Sequence, residues 1–286
     1  MLLYKIFCSS KDKIEPISAL LKESSNDFLF KNFYLLDTLS STQDFAYDLI
    51  LESSTLEPSV IISDVQSGGK GRKGSTWASP RGGIWMSLVF DPSLKIDQFF
   101  FIVIMTSLLL CSIIASFIDK KTGIKWPNDI LVERKKIAGI LMDTQIQSGN
   151  KSTIVLGVGI NTNNDLQETC SLMSKSKSSK YEITTIKHEN LGISINKEEL
   201  VTKFLLRFSD YLLRLKEVSF RNELLNKYKR MIEESSKDQQ YTFTSGGKPF
   251  IGEIVKVNDD GSILVHKLLE PDMNELIRIE SAFNIG

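Results

Sequence analysis

Residues 99–118 carry no charge: Phe-Phe-Phe-Ile-Val-Ile-Met-Thr-Ser-Leu-Leu-Leu-Cys-Ser-Ile-Ile-Ala-Ser-Phe-Ile, flanked by Asp97 and by Asp119-Lys120-Lys121. A helix needs about 20 apolar residues to cross a bilayer, so this run either spans a membrane or lies buried on all sides within a fold. Thr106, Ser107, Ser112 and Ser116 temper its hydrophobicity. A span would also place the segments before and after it on opposite sides of a bilayer. Motifs from both segments belong together, as argued below, so a buried helix beneath a sheet is expected and no membrane partner. Met1 to Ser10 lacks the apolar core of a signal peptide.

The chain's 286 residues suffice for one large domain, or for a large and a small one. Lys+Arg and Asp+Glu balance at 35 each, which argues against a globally basic nucleic-acid surface. The three cysteines, Cys8, Cys111 and Cys170, are far apart and form no Cys-x-x-Cys pair. Neither a disulfide framework nor a zinc site is indicated. His188 and His266 are the only histidines, which disfavours histidine triads and histidine metal ligands.

Pattern along the chain suggests one amphipathic helix between Lys11 and Ser24, then a change of texture at Phe33. Strands are expected at 33–36, 60–66 and 84–90, with Ser41-Thr42-Gln43 capping a helix that runs to about Glu52. Ile124 to Asp129 reads as a short strand entering a turn at Pro127-Asn128-Asp129. Residues 130–133 and 136–145 read as a hairpin, and 153–161 as a further strand. The serine-rich stretch 162–181 reads as a surface connection. Residues 197–234 have helical spacing, with a break at 235–238, and 239–286 read as short strands of a small barrel.

Several segments carry chemistry. Gln66-Ser-Gly-Gly-Lys-Gly-Arg-Lys-Gly-Ser-Thr-Trp77 is a glycine-rich loop after a strand, with Lys70, Arg72 and Lys73 interleaved. The glycines permit tight turns and close ligand approach, and the cations suit phosphate or carboxylate. It is not a Walker A loop. Lys125 opens Lys-Trp-Pro-Asn-Asp, where a fixed lysine could neutralise charge in a transition state; a surface lysine at a strand end is the bland alternative. Trp77, Trp85 and Trp126 lie near these motifs and could wall a flat ligand or serve as core. Gly157-Val-Gly-Ile-Asn161 ends a strand with two glycines, which mark close approach or packing relief. Asn161 could reach a phosphate or a magnesium-bound water. Lys136-Ile-Ala-Gly-Ile-Leu141 is another strand with a central glycine, which also suits a bulge.

In order, Ser-Ser-Thr-Gln (40–43), Gln66 with the basic loop, Lys-Trp-Pro-Asn-Asp (125–129), Lys-Ile-Ala-Gly-Ile-Leu (136–141) and Gly-Val-Gly-Ile-Asn (157–161) closely resemble the biotin protein ligase family, whose members attach biotin to a carboxylase carrier domain. The resemblance covers residues 33–161. It implies an α+β fold: a mixed β-sheet with helices packed on one side, the class II synthetase-like catalytic fold, plus a small C-terminal SH3-like β-barrel. The expected division is a short extension at 1–28, a catalytic domain at 29–235 and the barrel domain at 236–286. By similarity, Ser41, Thr42 and Gln66 hydrogen-bond the ureido ring or line its pocket, with Gln43 beside them among the biotin-binding residues. Gly157 and Gly159 give the bicycle room, while Lys70, Gly71 and Arg72 close over the ligand. Lys125 bridges biotin and phosphate, making Lys125 and Arg72 the catalytic pair. Trp77, Asn128, Asn161 and Arg72 belong to the ATP or adenylate site.

The resemblance further implies ATP, Mg2+ and biotin as ligands and a biotin carboxyl carrier domain as partner. A cytoplasmic location is expected, and a homodimer by analogy. No nucleic-acid partner is expected, since residues 1–28 are too short for a helix-turn-helix domain. A lipoate-attaching ligase and a biotin-responsive regulator are the alternatives. Two departures stand out: Lys70 replaces an expected arginine and loses its bidentate fork, and Ser75 replaces a basic residue after Gly74.

Overall fold

Alternating and β-branched runs build nine strands into one sheet. The structure, a computed structural model, describes residues 5–8, 28–52, 57–146, 152–175, 182–268, 274–280 and 284–285. The helix expected between Lys11 and Ser24 lies outside them. Strand β1 (Lys5–Cys8) pairs parallel with β2 (Asn32–Leu39), so part of the N-terminal segment joins the main sheet. Helix α1 (Thr42–Glu52) then crosses to β3 (Ser59–Gln66), parallel to β2. After β4 (Ile84–Phe90) and helix α2 (Phe100–Ala115) come β5 (Thr122–Lys125), β6 (Asp129–Val132), β7 (Lys135–Ile146) and β8 (Ser152–Ile160). The spatial order is β1-β2-β3-β4-β8-β7-β6-β5, and every pair from β3–β4 onward is antiparallel. The β6–β7 hairpin turns at Glu133 and Arg134, both at positive φ (46° and 70°).

Helix α2 is the uncharged run, and 13 of its 16 residues are buried. It lies in the core cluster formed with the sheet, α5 (Lys197–Arg214) and α6 (Val218–Ser236). The Thr106 and Ser107 hydroxyls donate back to Ile102 O (2.6 Å) and Val103 O (2.8 Å), which removes the cost of burying them. Each large apolar side chain sequestered here contributes roughly 1.5–3 kcal/mol, enough to explain an uncharged helix without a bilayer. Helix α5 begins at Asn196, whose side chain accepts from Glu199 N at 3.0 Å, and buries Leu200, Phe204, Leu205, Phe208 and Leu212 on one stripe.

Sheet alternation sorts the strands into two faces. Val60, Leu88 and Leu156 face α2, whereas Ile61, Val89 and Val155 form a second cluster with Ala46 and Ile50 of α1. Helices α2, α5 and α6 therefore share one face as expected, and α1 covers part of the other.

The stretch beginning at residue 162, expected as a surface connection, is largely exposed from Asp165 to Leu172 but is helical and buries Thr162, Asn164 and Thr169. Helix α3 (Leu166–Lys175) forms there, capped by Asp165, which accepts from Glu168 N at 2.7 Å, and α4 (Ile186–Glu189) follows. Thr162, Asn164 and Thr169 are buried with partners: Thr162 donates to Gly82 O (2.6 Å), Asn164 Nδ2 to Thr169 Oγ1 (2.9 Å) and Thr169 Oγ1 to Asp165 O (2.5 Å), while Asn164 Oδ1 has none among the described residues. Residues 176–181 of that stretch lie outside the described residues.

After α6 come β9 (Tyr241–Ser245), β10 (Lys248–Val257), β11 (Ile263–Leu268) and β12 (Asn274–Ile279), a four-stranded antiparallel sheet consistent with the expected SH3-like unit. Trp126 Nε1 donates to Gly261 O at 2.9 Å, so this tryptophan ties the sheet to the barrel, and it does not line the cavity described below. The last described strand, β13 (Asn284–Ile285), pairs parallel with β7 at Asp143 and Thr144.

Candidate active site

Three cross-strand rows on the α1 face prepare a cavity. Val155 pairs with Asp143 and Val89, Gly157 with Leu141 and Ser87, and Gly159 with Gly139 and Trp85. The first row is roofed by α1. The next two lack bulk at Gly157, Gly159 and Gly139 and leave a cavity of about 270 Å³. Ser41, Thr42, Gln43, Gln66, Lys70, Gly71, Arg72, Trp77, Asn128, Gly157, Gly159 and Asn161 all line it. Motifs spread over more than a hundred residues thus meet in one place.

Its closed end is a hydroxyl and amide cluster. Ser41 Oγ accepts from Gln43 N (3.2 Å) and Asp44 N (3.4 Å), so the residue that caps α1 also lines the cavity. Gln66 Oε1 accepts from Thr42 N (2.8 Å) and Thr42 Oγ1 (3.1 Å), and Gln66 Nε2 donates to Ser79 Oγ (2.8 Å). Ser87, a fully buried hydroxyl in an otherwise apolar strand, lies 2.8 Å from Thr42 Oγ1 and 2.9 Å from Gln43 Oε1.

The basic loop folds over the cavity as a hairpin of its own, with bridges Gln66↔Ser79 and Lys70↔Thr76. Gly69 permits the close approach, since a Cβ there would sit 2.4 Å from Trp77 O. The loop's tip is a 3₁₀ turn at Arg72–Gly74, where Gly74 takes a φ of 72°. Lys70 forms an exposed ion pair with Asp44 at the rim.

Trp77 lies flat against the sheet. A Cβ on Gly139 would sit 2.7 Å from its Cζ3, and one on Gly159 2.8 Å from its Cε2 and Nε1. Gly159, expected to make room for the ligand's bicycle, lines the cavity and also makes room for this indole, because the loop delivers Trp77 to that row. Gly157 lines the cavity too, and a Cβ there would meet Gln43 Oε1 at 2.9 Å. The Trp77 indole N–H is buried without a hydrogen-bond partner. Trp85 is core as well as lining, its Nε1 donating to Pro80 O at 3.0 Å.

The opposite end is cationic. Arg72 donates to Asn128 Oδ1 at 3.0 Å, and Asn128 Nδ2 donates in turn to Ile140 O. Burial lowers the Arg72 pKa, against the pull of Asp129 and Tyr228. Lys136 pairs with Asp129 at 2.8 Å and sits 4.7 Å from the centre of the Trp77 ring. Its backbone is gripped on both sides, Lys136 N donating to Glu182 O and Thr184 N to Lys136 O, each at 2.9 Å. Behind the turn, Tyr228 Oη donates to Pro127 O at 2.7 Å.

Lys125 is the site residue that the structure places elsewhere. It does not line the cavity. It lies 5.6 Å from the Tyr241 ring centre, and burial pushes its pKa down to about 8, with Asp129 raising it and Lys136 lowering it further. The reason is register: Lys125 pairs with Asp129 on the outermost strand, and β6 stands between it and Lys136 on β7. Lys136, Asp129 and Gly139 line the cavity from within quoted motifs but were given no site role, and Ser87 lines it from outside any motif. A serine inside the run Ile84–Phe90 and a second lysine ahead of the central glycine were the signals available for two of them.

The model of the biotin/lipoate A/B protein ligase family matches residues 35–161. The bifunctional ligase/repressor BirA of Bacillus subtilis is 34% identical over 128 residues, covering 44% of this chain and 39% of that protein. Chloroplastic biotin–protein ligase 1 of Arabidopsis thaliana is 31% identical over 248 residues, covering 82% of this chain and 64% of that protein. The chain thus spans less than two thirds of either relative. The biotin protein ligase of Aquifex aeolicus, solved with biotin and ATP, superposes with a TM-score of 0.64 at 24% identity, over 88% of this chain and all of that one. That likeness speaks for the fold.

Proposed function

Residues 35–161 match the model of the biotin/lipoate A/B protein ligase family, and on that premise we propose that the chain activates biotin with ATP and transfers the biotinyl group to a lysine of a biotin carboxyl carrier domain. The observation that carries this reading is the polarity of the cavity. One end presents acceptor oxygens from Thr42, Gln43 and Ser87, and the other presents Arg72 and Lys136. A cyclic urea with N–H donors suits the first end and a carboxylate beside a phosphate suits the second. A dithiolane has no N–H to offer, so the same end disfavours lipoate.

In the first step a carboxylate oxygen of biotin attacks the α-phosphorus of ATP, and the bond to pyrophosphate breaks. Two anions must approach each other, so neutralisation by preorganised cations is the main need. Arg72 and Lys136 fill it, with Asn128 orienting Arg72 and Asp129 steadying Lys136. Lys125 takes a supporting electrostatic place behind Asp129. In the second step a neutral lysine amine of the carrier attacks the acyl carbon, the acyl–oxygen bond breaks, AMP leaves and the amine loses a proton. No side chain of this protein serves as a nucleophile. The folded loop with Trp77 keeps water from the mixed anhydride.

The resemblance also implies Mg2+. Among the described residues no group of three or more His, Cys, Asp or Glu side chains could hold a metal, and the one carboxylate lining the cavity, Asp129, is paired with Lys136. These side chains do not build a seat for a resident divalent ion.

Titration calorimetry with biotin and with lipoate, followed by label transfer to apo carrier domains, tests the proposal. Binding and transfer of biotin are expected. Transfer of lipoate alone would overturn it.

A further inference from the structure

We propose that Asp143, which does not line the cavity, is a positioning residue for ligand selection: it holds the Gln43 amide so that an acceptor oxygen faces the ligand. The inference rests on the biotin reading and deepens it.

Gln43 Nε2 lies 2.9 Å from Asp143 Oδ2 and 3.1 Å from Val155 O, so both amide protons are committed away from the cavity. Turning the amide over would set its oxygen against two acceptors, which fixes an assignment that side-chain amides otherwise leave open. Gln43 Oε1 therefore points to Ser87 Oγ (2.9 Å) and to the space above Gly157. Tyr47 also hydrogen-bonds Asp143, and its pKa is raised by burial first and by Asp143 next, so it stays a donor to the carboxylate.

Proton counting then identifies the ligand chemistry. Thr42 spends its hydroxyl proton on Gln66 Oε1. Ser87 has one hydroxyl proton and two acceptors in reach, Thr42 Oγ1 and Gln43 Oε1. The cluster is one proton short, and a ligand N–H supplies it. A ligand with a ring oxygen in that place leaves two acceptors face to face.

The test is calorimetry on the whole chain with biotin and with the two carbamate analogues in which either urea N–H is replaced by a ring oxygen. Wild-type protein should prefer biotin over at least one analogue by about 10-fold or more. Asp143→Asn can donate to Gln43 and lets the amide turn over. It should lose about 10-fold in biotin affinity while holding that analogue as well as before, so the preference collapses. Asp143→Glu, which keeps the acceptor, should restore it. If Asp143→Asn does not fold, Asp143→Ser is read in the same assay. A wild-type preference ratio in the Asn or Ser variant, or an equal loss for both ligands, overturns the assignment while the biotin reading stands. Wild-type protein that gives no heat with biotin overturns both.

Discussion

Replacing Gly159 with alanine puts a methyl group 2.8 Å from Cε2 and Nε1 of Trp77. Carbon atoms in comfortable contact lie about 3.5–4.0 Å apart, so the indole must retreat by about 1 Å. It cannot slide along the sheet, because its other end lies against Gly139, where a Cβ would sit 2.7 Å away. The remaining escape is upward, into the cavity of about 270 Å³. Gly159 is not at positive φ, so alanine suits its backbone and the whole cost lies in this contact. Overpacking of this kind costs about 1–3 kcal/mol, and a chain of this size loses roughly 2–4 °C of melting temperature per kcal/mol. Biotin affinity should fall by about 10-fold as the indole intrudes. The measurement is a double-mutant cycle with Trp77→Ala, read by thermal unfolding and calorimetry, with tryptophan emission of Gly159→Ala expected to shift to the red. In the Trp77→Ala background the methyl group has nothing to strike, and the stability cost of Gly159→Ala should vanish. A cost equal in both backgrounds to within about 0.5 kcal/mol would refute the reasoning.

Lys136→Ala should slow biotin-dependent pyrophosphate release by about 100-fold or more, and Lys125→Ala by less than about 10-fold; the reverse order returns the bridging role to Lys125. Arg72→Ala should shorten retention of the adenylate by about 10- to 100-fold, the worth of a charge-assisted contact, measured by release of labelled intermediate; unchanged release removes Arg72 from that task. Lys125 has a folded pKa of about 8 against an ordinary 10.5, so between those values the unfolded chain binds more protons and stability rises with pH. Lys125→Met should therefore melt above wild type at pH 7 and lose that advantage by pH 10, and a gap independent of pH contradicts the burial argument. Leu110→Ala, fully buried in α2, should cost about 2–5 kcal/mol in urea unfolding; a negligible cost would mean that this helix is not core.

Much of the site was legible because the motifs are local. Ser41 is both cap and lining residue, and hydroxyls at a helix start can be read from the sequence. The glycine-rich loop announced tight turning, and it does turn, at Gly74. Polarity told only part of the stretch from residue 162: its helix is largely exposed, but Thr162 donates to Gly82 O and Asn164 to Thr169, which lets these polar side chains lie inside. For Trp126, left open between ligand wall and core, the structure gives the core side, anchored to the barrel through Gly261 O.

From the sequence alone came the buried helix, the succession of strands and the five motifs in order, because period, charge and turn chemistry act over a few residues. Tertiary structure decided which lysine lines the cavity and which glycines lie against the tryptophan. Lys125 and Lys136 look alike in one dimension, but Lys125 sits on an outer strand and Lys136 two strands further in. Gly159 received Trp77, 82 positions earlier in the chain, only because cross-strand register set it beside Gly139 under the folded loop. Contacts of that kind follow from strand pairing and loop closure, and no short window of sequence contains both partners.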